Sequence, residues 1–272
     1  MDKWMAFDFM KTYGLKSGAL MLSKSQVKYI HSFAQKKFRD DEKAFVAEGP
    51  KITGEYLRER PESVIGVYAV EGWLEENRPL LRSSGMVIHP LGESELERIS
   101  FLSTPNQVLA VIRKPESAGP PDLSSGLSLL LDDIQDPGNL GTIVRTADWF
   151  GIRNIVCSPA TADLYNPKVV QSTMASLLRV NTWYMDLDEC IASNKDVPLW
   201  AAALDGDDLH NVKQVDLAML LIGNESKGIR PALLQKTQKR IAIPRYGGAE
   251  SLNAAVATGI ILAHLRRPLN NK

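Results

Sequence analysis

The stretch Leu131-Asp-Asp-Ile-Gln-Asp-Pro-Gly-Asn-Leu-Gly-Thr-Ile-Val-Arg145 decides how the rest of the chain is read. An apolar run from Leu127 to Leu131 stops at two aspartates, Pro137-Gly138 follows, and a helical period then begins. Proline presets one backbone angle and glycine accepts a positive one, so the pair suits a type II turn and puts Asn139 at a helix N-cap. In the predicted helix Leu140, Ile143, Val144, Ala147 and Phe150 share one face, while Thr142, Arg145 and Trp149 share the opposite one. Tryptophan and arginine one turn apart are residue types enriched at interfaces.

Downstream, the apolar runs Asn154 to Cys157, Leu199 to Leu204, Leu217 to Ile222 and Arg240 to Ile243 read as buried strands with helical patterns between most of them. Such alternation predicts an α/β domain over 127–272, a parallel sheet covered on both faces with ligands at the carboxyl ends of its strands. Upstream, the proline, glycine and serine cluster from Lys114 to Gly126 reads as a linker over 114–126. Residues 19–113 then form a small α/β or α+β domain, with a helix over Ser23 to Phe38, strands over Val64 to Val70 and Val108 to Ile112, and a short helix over Ser94 to Ile99. Residues 1–18 read as a loosely ordered extension.

Composition narrows the function classes. With 44% hydrophobic and 24% charged residues in 272, the chain has a folded core. Its apolar runs are too broken to span a bilayer, and Asp2 and Asp8 argue against a signal peptide, so a cytoplasmic protein is expected. Cys157 and Cys190 make no CxxC pair, which suggests neither a zinc site nor a disulfide, and no metal is expected. From Leu127 onward there are 15 basic and 15 acidic residues, so neither part is a basic domain and any nucleic acid must be held by a local patch. Lys24, Lys28, Lys36 and Lys37 lie on the first predicted helix with no acidic residue between them. They suit either a phosphate-tracking face or an ordinary solvated one.

Two further segments carry chemistry. Leu220-Leu-Ile-Gly-Asn-Glu-Ser-Lys-Gly-Ile229 ends an apolar strand in a loop whose Gly223 and Gly228 allow close approach to a ligand. Glu225 is either an ordinary loop carboxylate or a polar fixture of a site. The spacing matches neither a Rossmann nor a Walker fingerprint. Ile241-Ala-Ile-Pro-Arg-Tyr-Gly-Gly-Ala-Glu-Ser-Leu-Asn253 leads into a helix, Ala254 to Arg266, that is apolar nearly all round. Ser251 is an N-cap candidate there, and the helix needs covering on two sides, by its sheet and most simply by a second subunit.

Asp136-Pro-Gly-Asn-Leu-Gly with Arg145, Gly223-Asn-Glu225 with Gly228, and Ile243-Pro244 with Ser251-Leu-Asn253 resemble, in order and spacing, the three motifs of the SpoU-type (TrmH-like) RNA ribose methyltransferases of the SPOUT superfamily. The resemblance runs from about Leu127 to the C-terminus. It implies a trefoil-knotted domain, S-adenosylmethionine as cofactor, and a homodimer with the active site at its interface. By position it assigns Leu204, Gly223, Ile243 and Leu252 to the cofactor pocket. Asn139, Arg145, Glu225, Ser251 and Asn253 become the catalytic and substrate-positioning set. Through Leu22-Ser-Lys-Ser-Gln and Phe45-Val-Ala-Glu-Gly-Pro-Lys51 the first domain is similar to the RNA-binding domains these enzymes often carry, which favours the lysine-bearing helix as RNA-facing. Two departures stand out. The family usually has methionine where this chain has Arg245, and arginine and glycine where it has Gln171 and Ala175.

The implied activity is methyl transfer to a ribose 2′-hydroxyl, of ribosomal RNA in preference to transfer RNA. The competing readings are a catalytically silent RNA-binding or ribosome-assembly factor on the same fold, a transfer-RNA 2′-O-methyltransferase, and a methyltransferase acting on a guanine ring nitrogen.

Overall fold

The computed structural model describes residues 22–82, 85–116 and 119–266. The extension expected over 1–18 lies outside the described residues. The chain divides into two compact units, Met1–Glu116 with Tyr165–Gln171, and Ser117–Leu164 with Ser172–Lys272.

In the first unit the elements run α1 (Lys24–Ser32), α2 (Lys36–Asp41), β1 (Ala44–Glu48), α3 (Pro50–Glu59), β2 (Val64–Val70), α4 (Glu71–Glu76), α5 (Arg78–Leu81), β3 (Val87–Leu91), α6 (Glu93–Glu97) and β4 (Val108–Arg113). The sheet order is β1-β4-β2-β3. Its β1/β4 and β2/β4 pairs are antiparallel and β2/β3 is parallel. Ile30, Phe33, Val46, Leu96, Ile99 and Leu109 are among the buried side chains of one core cluster. The helix expected over Ser23 to Phe38 is interrupted. Arg39, almost fully buried, donates from Nη1 to the carbonyl oxygens of Phe33 (2.6 Å) and Ala34 (2.9 Å). Those carbonyls are satisfied by a guanidinium from the next helix, so α1 ends at Ser32. Strands β1 and β3 were not foreseen. Strand β3 contains Pro90, which an edge strand tolerates because a missing N–H on its open side costs no ladder bond.

From 127 onward the elements run β5 (Leu127–Asp132), α7 (Pro137–Trp149), β6 (Asn154–Cys157), α8 (Pro167–Thr173), β7 (Asn181–Tyr184), α9 (Leu187–Ser193), β8 (Leu199–Asp208), β9 (Ala218–Gly223), α10 (Pro231–Leu234), β10 (Lys239–Ala242) and α11 (Ala254–Leu265); all but most of α8, whose residues up to Gln171 belong to the first unit, form the second unit. Its sheet order is β10-β8-β9-β5-β6-β7, and every pair is parallel. Leu130, Val156, Leu199, Met219 and Leu221 belong to one core cluster, as does Leu123 from the proline-rich stretch before β5. Parallel strands buried on both faces read as continuous apolar runs, which is why the sequence exposes them so clearly.

The order also locates a crevice. From β5 the chain winds outward through β6 and β7, then returns to build β8, β9 and β10 on the other side. The switch falls between β5 and β9, whose last residues, Asp132 and Gly223, are register partners. In open α/β sheets ligands bind outside the carboxyl ends of the strands at such a point.

Two capping expectations are corrected here. The N-cap of α7 is Asp136, whose Oδ1 accepts from the Asn139 amide at 2.9 Å, so Pro137 and Gly138 are the first helical residues and no type II turn forms. Proline has no N–H to leave orphaned at that position. The N-cap of α11 is Asn253, not Ser251: its Oδ1 accepts from the amides of Ala255 (2.9 Å) and Val256 (3.2 Å).

Candidate active site

Because Asp136 takes the capping task, the side chain of Asn139 is released from it in the first turn of α7. It is spent on other side chains instead. Asn139 Nδ2 donates to Glu225 Oε1 at 2.7 Å, and Asn253 Nδ2 donates to Asn139 Oδ1 at 2.7 Å. One residue from each of the three sequence segments thus joins a single hydrogen-bonded chain, across separations of 86 and 114 residues. Its direction follows from its ends. Asn139 turns its NH2 toward the accepting Glu225 oxygen and its own oxygen toward Asn253. Asn253 in turn must keep its oxygen on the amides of α11.

The loop carrying Glu225 is tightly built. At Gly223 a side chain would collide with the backbone of Gly228, since a Cβ there would lie 2.4 Å from the Gly228 carbonyl carbon. Asn224 and Gly228 exchange two backbone hydrogen bonds of 3.0 Å. Asn224 Nδ2 donates to the Asp133 carbonyl at 2.7 Å, and its Oδ1 accepts from the amides of Ser226 and Lys227. Past the turn, the buried Asp132 carboxylate accepts from the Arg230 amide (2.8 Å) and from Arg230 Nε (2.7 Å).

A second close backbone approach lies at the β10 edge of the sheet. Strand β10 pairs Arg240 with Ala201 and then Ile241 with Asp207, so residues 202–206 of β8 bulge out of the ladder. Gly206 returns the bulge against β10, where a Cβ would stand 2.5 Å from the Ile241 amide nitrogen. Leu204, within the bulge, is 80% exposed, and Leu252, before α11, is 47% exposed. Gly223 and Ile243, the other residues assigned to a cofactor, are half-buried. Ser251 and Arg145 are exposed and stand outside the Asn253–Asn139–Glu225 chain, with Arg145 two turns along α7.

Residues 126–263 match the model of the SpoU rRNA methylase family. The chain belongs to that family. Residues 24–110 match an MRM3-like substrate binding domain. The chain is 34% identical over 235 residues to a 23S rRNA (guanosine(2553)-2′-O)-methyltransferase of Bacillus subtilis, covering 85% of this chain and 92% of the relative. An AdoMet-bound rRNA methyltransferase structure from Sinorhizobium meliloti superposes with a TM-score of 0.82 at 28% identity, over 92% of this chain and 97% of that one. A TrmH-family structure from Porphyromonas gingivalis gives a TM-score of 0.77 at 36% identity, over 90% and 98%.

In this SpoU-family chain the departures have visible settings. Ala175 is fully buried with φ of 74°, in the left-handed region, which explains why glycine is usual there. Arg245 is exposed, with Nη1 donating to the Ala249 carbonyl at 3.5 Å. The structure places Lys24, Lys28, Lys36 and Lys37 at exposed positions, but on two helices instead of one. On α7 and α11, Trp149 is 84% exposed, Val256 51% and Ile260 40%, while Gly259 lies against Thr146 where the two helices pack.

Burial pushes both thiols up, that of Cys190 to about 11, so neither is a nucleophile at neutral pH. Among the described residues no group of three His, Cys, Asp or Glu side chains is arranged to hold a metal ion, and no helix is long and apolar enough to cross a membrane. Asp132, Asn224 and Arg230 were not singled out in the sequence. Their signal was available only as an aspartate ending a buried strand and an asparagine beside Glu225.

Proposed function

We propose that this protein methylates a ribose 2′-hydroxyl of ribosomal RNA with S-adenosylmethionine as donor. The observation that carries the proposal is the Asn253–Asn139–Glu225 chain, at the carboxyl ends of the strands flanking the topological switch. The AdoMet-bound and 23S rRNA-modifying relatives support the cofactor and substrate class. The cofactor fits the residues present. Leu204 and Leu252 offer exposed apolar surface, and together with Gly223 and Ile243 they are the residues to hold it. Its sulfonium supplies an already activated methyl group.

The protein's task is then placement. Holding the ribose oxygen in line is worth roughly 7 to 11 kcal/mol. Asn139, Glu225, Ser251 and Asn253 orient the ribose, with Asn139 fixed at both ends of its amide. Arg145 grips the adjoining phosphate and stabilises the alkoxide that develops. A guanidinium stays protonated at neutral pH and is a poor proton acceptor, so the hydroxyl proton leaves to that phosphate or to water.

In this reading residues 19–113 bind RNA, with Lys24, Lys28, Lys36 and Lys37 toward the phosphates, residues 127–272 are the methyltransferase domain, and residues 114–126 join them. The trefoil knot is supported by the match of residues 126–263 to the SpoU rRNA methylase family and by the likeness to the AdoMet-bound rRNA methyltransferase structure. A homodimer is supported by the exposed Trp149, Val256 and Ile260, and it would place Arg145 at the interface. Trp149→Glu should split the dimer and lower activity with it; sedimentation of the fully active wild type as a monomer at micromolar concentration refutes the dimer.

The test is transfer of labelled methyl to ribosomal and transfer RNA, followed by alkaline cleavage. Resistance at one position of ribosomal RNA is the expected result, because only a blocked 2′-hydroxyl confers it. A labelled product that alkali cleaves throughout indicates base methylation, and absence of S-adenosylmethionine binding at micromolar concentration indicates a silent RNA-binding factor. Either result overturns the proposal.

A further inference from the structure

Asp132 is 1% exposed, the least of any carboxylate residue among the buried polar residues described. A charge so placed is costly, and a neutral or apolar pair would close a loop as well. Its location gives the reason for keeping it. Asp132 ends β5, seven positions before Asn139, and its two carboxylate oxygens hold the amide and Nε of Arg230, five positions after Glu225. The neighbouring Asn224 Nδ2 to Asp133 carbonyl bond ties the other side of the same loop to the same strand end. These three bonds therefore staple the chain leading into Asn139 to the chain on both sides of Glu225.

We propose that Asp132, acting through Arg230, is a positioning residue that holds Glu225 at bonding distance from Asn139. This rests on the reading of Asn139 and Glu225 as active-site residues. Both oxygens of Asp132 act on one residue, one on its backbone and one on its side chain, so both the path and the rotation of the loop are defined at Arg230. The Asn139–Glu225 bond is 2.7 Å, and hydrogen bonds weaken steeply once geometry slips. An amide at position 132 can accept at only one of its two oxygen sites, so the loop loses either its path or its rotation while the volume of the side chain is kept.

The test uses the full chain with labelled S-adenosylmethionine and ribosomal RNA, comparing wild type, Asp132→Asn and Arg230→Lys. Both variants should lose roughly ten- to a hundredfold in kcat, with KM for RNA changed less than about threefold, because the loss is one of alignment. The second readout is the side-chain amide resonance of Asn139 in a 15N-labelled protein, assigned by its absence in Asn139→Asp. In both variants it should move toward its position in Glu225→Gln, at temperatures well below unfolding. Arg230→Lys keeps the backbone bond and the positive charge, so it reports even where Asp132→Asn does not fold. Wild-type kcat in a folded variant, or an Asn139 resonance left at its wild-type position, overturns the proposal. Where the wild type transfers no methyl group at all, the functional reading fails by itself and the resonance still decides the positioning.

Discussion

Buried and half-buried polar groups are used differently in the two units. In the first, each of them holds backbone: Arg39 holds the carbonyls that end α1, Glu95 Oε2 accepts from the Leu22 amide at 2.7 Å, and Glu48 Oε2 accepts from the Phe101 amide at 2.9 Å, while the other oxygens of the two glutamates accept from Arg98 and Ser100. In the second, the side chains of Glu225, Asn139 and Asn253 are bonded in series, although Asn253 also caps α11, and Asn139 and Glu225 are only half-buried. Side chain to side chain bonds are the minority class in proteins, and a half-exposed chain of them adds little to stability. On the proposed function, the contrast separates polar groups that maintain a fold from polar groups kept for a ligand. Changes in the first unit should therefore be read in stability, and changes in the chain of three should be read in turnover.

The largest effect expected is from Asn139→Ala, which should lower kcat by about 10²- to 10³-fold while the melting temperature stays within about 3 °C. Single-turnover methyl transfer and a thermal melt check the two halves of that statement. A large fall in melting temperature with intact turnover would erase the distinction between the units.

Arg39→Met comes next. It leaves buried carbonyls unpaired, so urea unfolding should show a loss of about 2 to 3 kcal/mol, with kcat unchanged at temperatures where the variant is folded. A drop in kcat of the folded variant would mean that the first unit's buried charges also serve the chemistry.

Ala175→Gly sharpens the comparison from within the second unit. Relieving a left-handed alanine should stabilise by about 0.5 to 1 kcal/mol after the flexibility of glycine in the unfolded chain is counted. Unchanged or lowered stability in a urea titration would show that the backbone there is not strained.

The smallest effect concerns pH. Burial raises the Glu48 carboxyl above its ordinary value of 4.5, against the opposing bonds from Ser100 and Phe101. The folded state thus keeps this proton to higher pH than the unfolded state does. Its contribution is fully present below about the ordinary value and is lost as pH rises through the folded value. Glu48→Gln should accordingly gain stability relative to wild type as pH is raised from 4 toward 7, as measured by unfolding at each pH. A gap that narrows or reverses over that interval contradicts the assignment of burial as the dominant cause.

Legibility in the sequence followed the range of the interactions. Strands β5, β6 and β9 were placed within a residue of their ends, because parallel strands buried on both faces must be continuous apolar runs. Strand β7, Asn181–Tyr184, is a polar edge strand and gave no such signal. The caps of α7 and α11 were each assigned to a neighbouring residue. Asp136, Asn139, Ser251 and Asn253 are all good capping types, and which one caps depends on backbone angles that spacing does not reveal. The helix over Ser23 to Phe38 was drawn too long because nothing local says that Arg39 will be buried beneath its end.

For the candidate site the division is sharper. Asn139, Glu225 and Asn253 were all singled out from the sequence, and the roles assigned to them came from resemblance to a family. Nothing in composition or period says that an asparagine at 139 will meet a glutamate 86 residues later. By itself the sequence determined the α/β class of the second unit, the position of its main strands, and a loop in which Gly223 and Gly228 allow close approach. Those features are local: apolar period, turn chemistry and the absence of a side chain act within a few residues. The tertiary structure alone decided that Asp136 would free Asn139, that residues 202–206 would leave the ladder, and that Asp132 would accept from both the amide and Nε of Arg230. A hydrogen bond is satisfied by whichever partner packing brings within about 3 Å, and that choice is made only when the sheet order is complete.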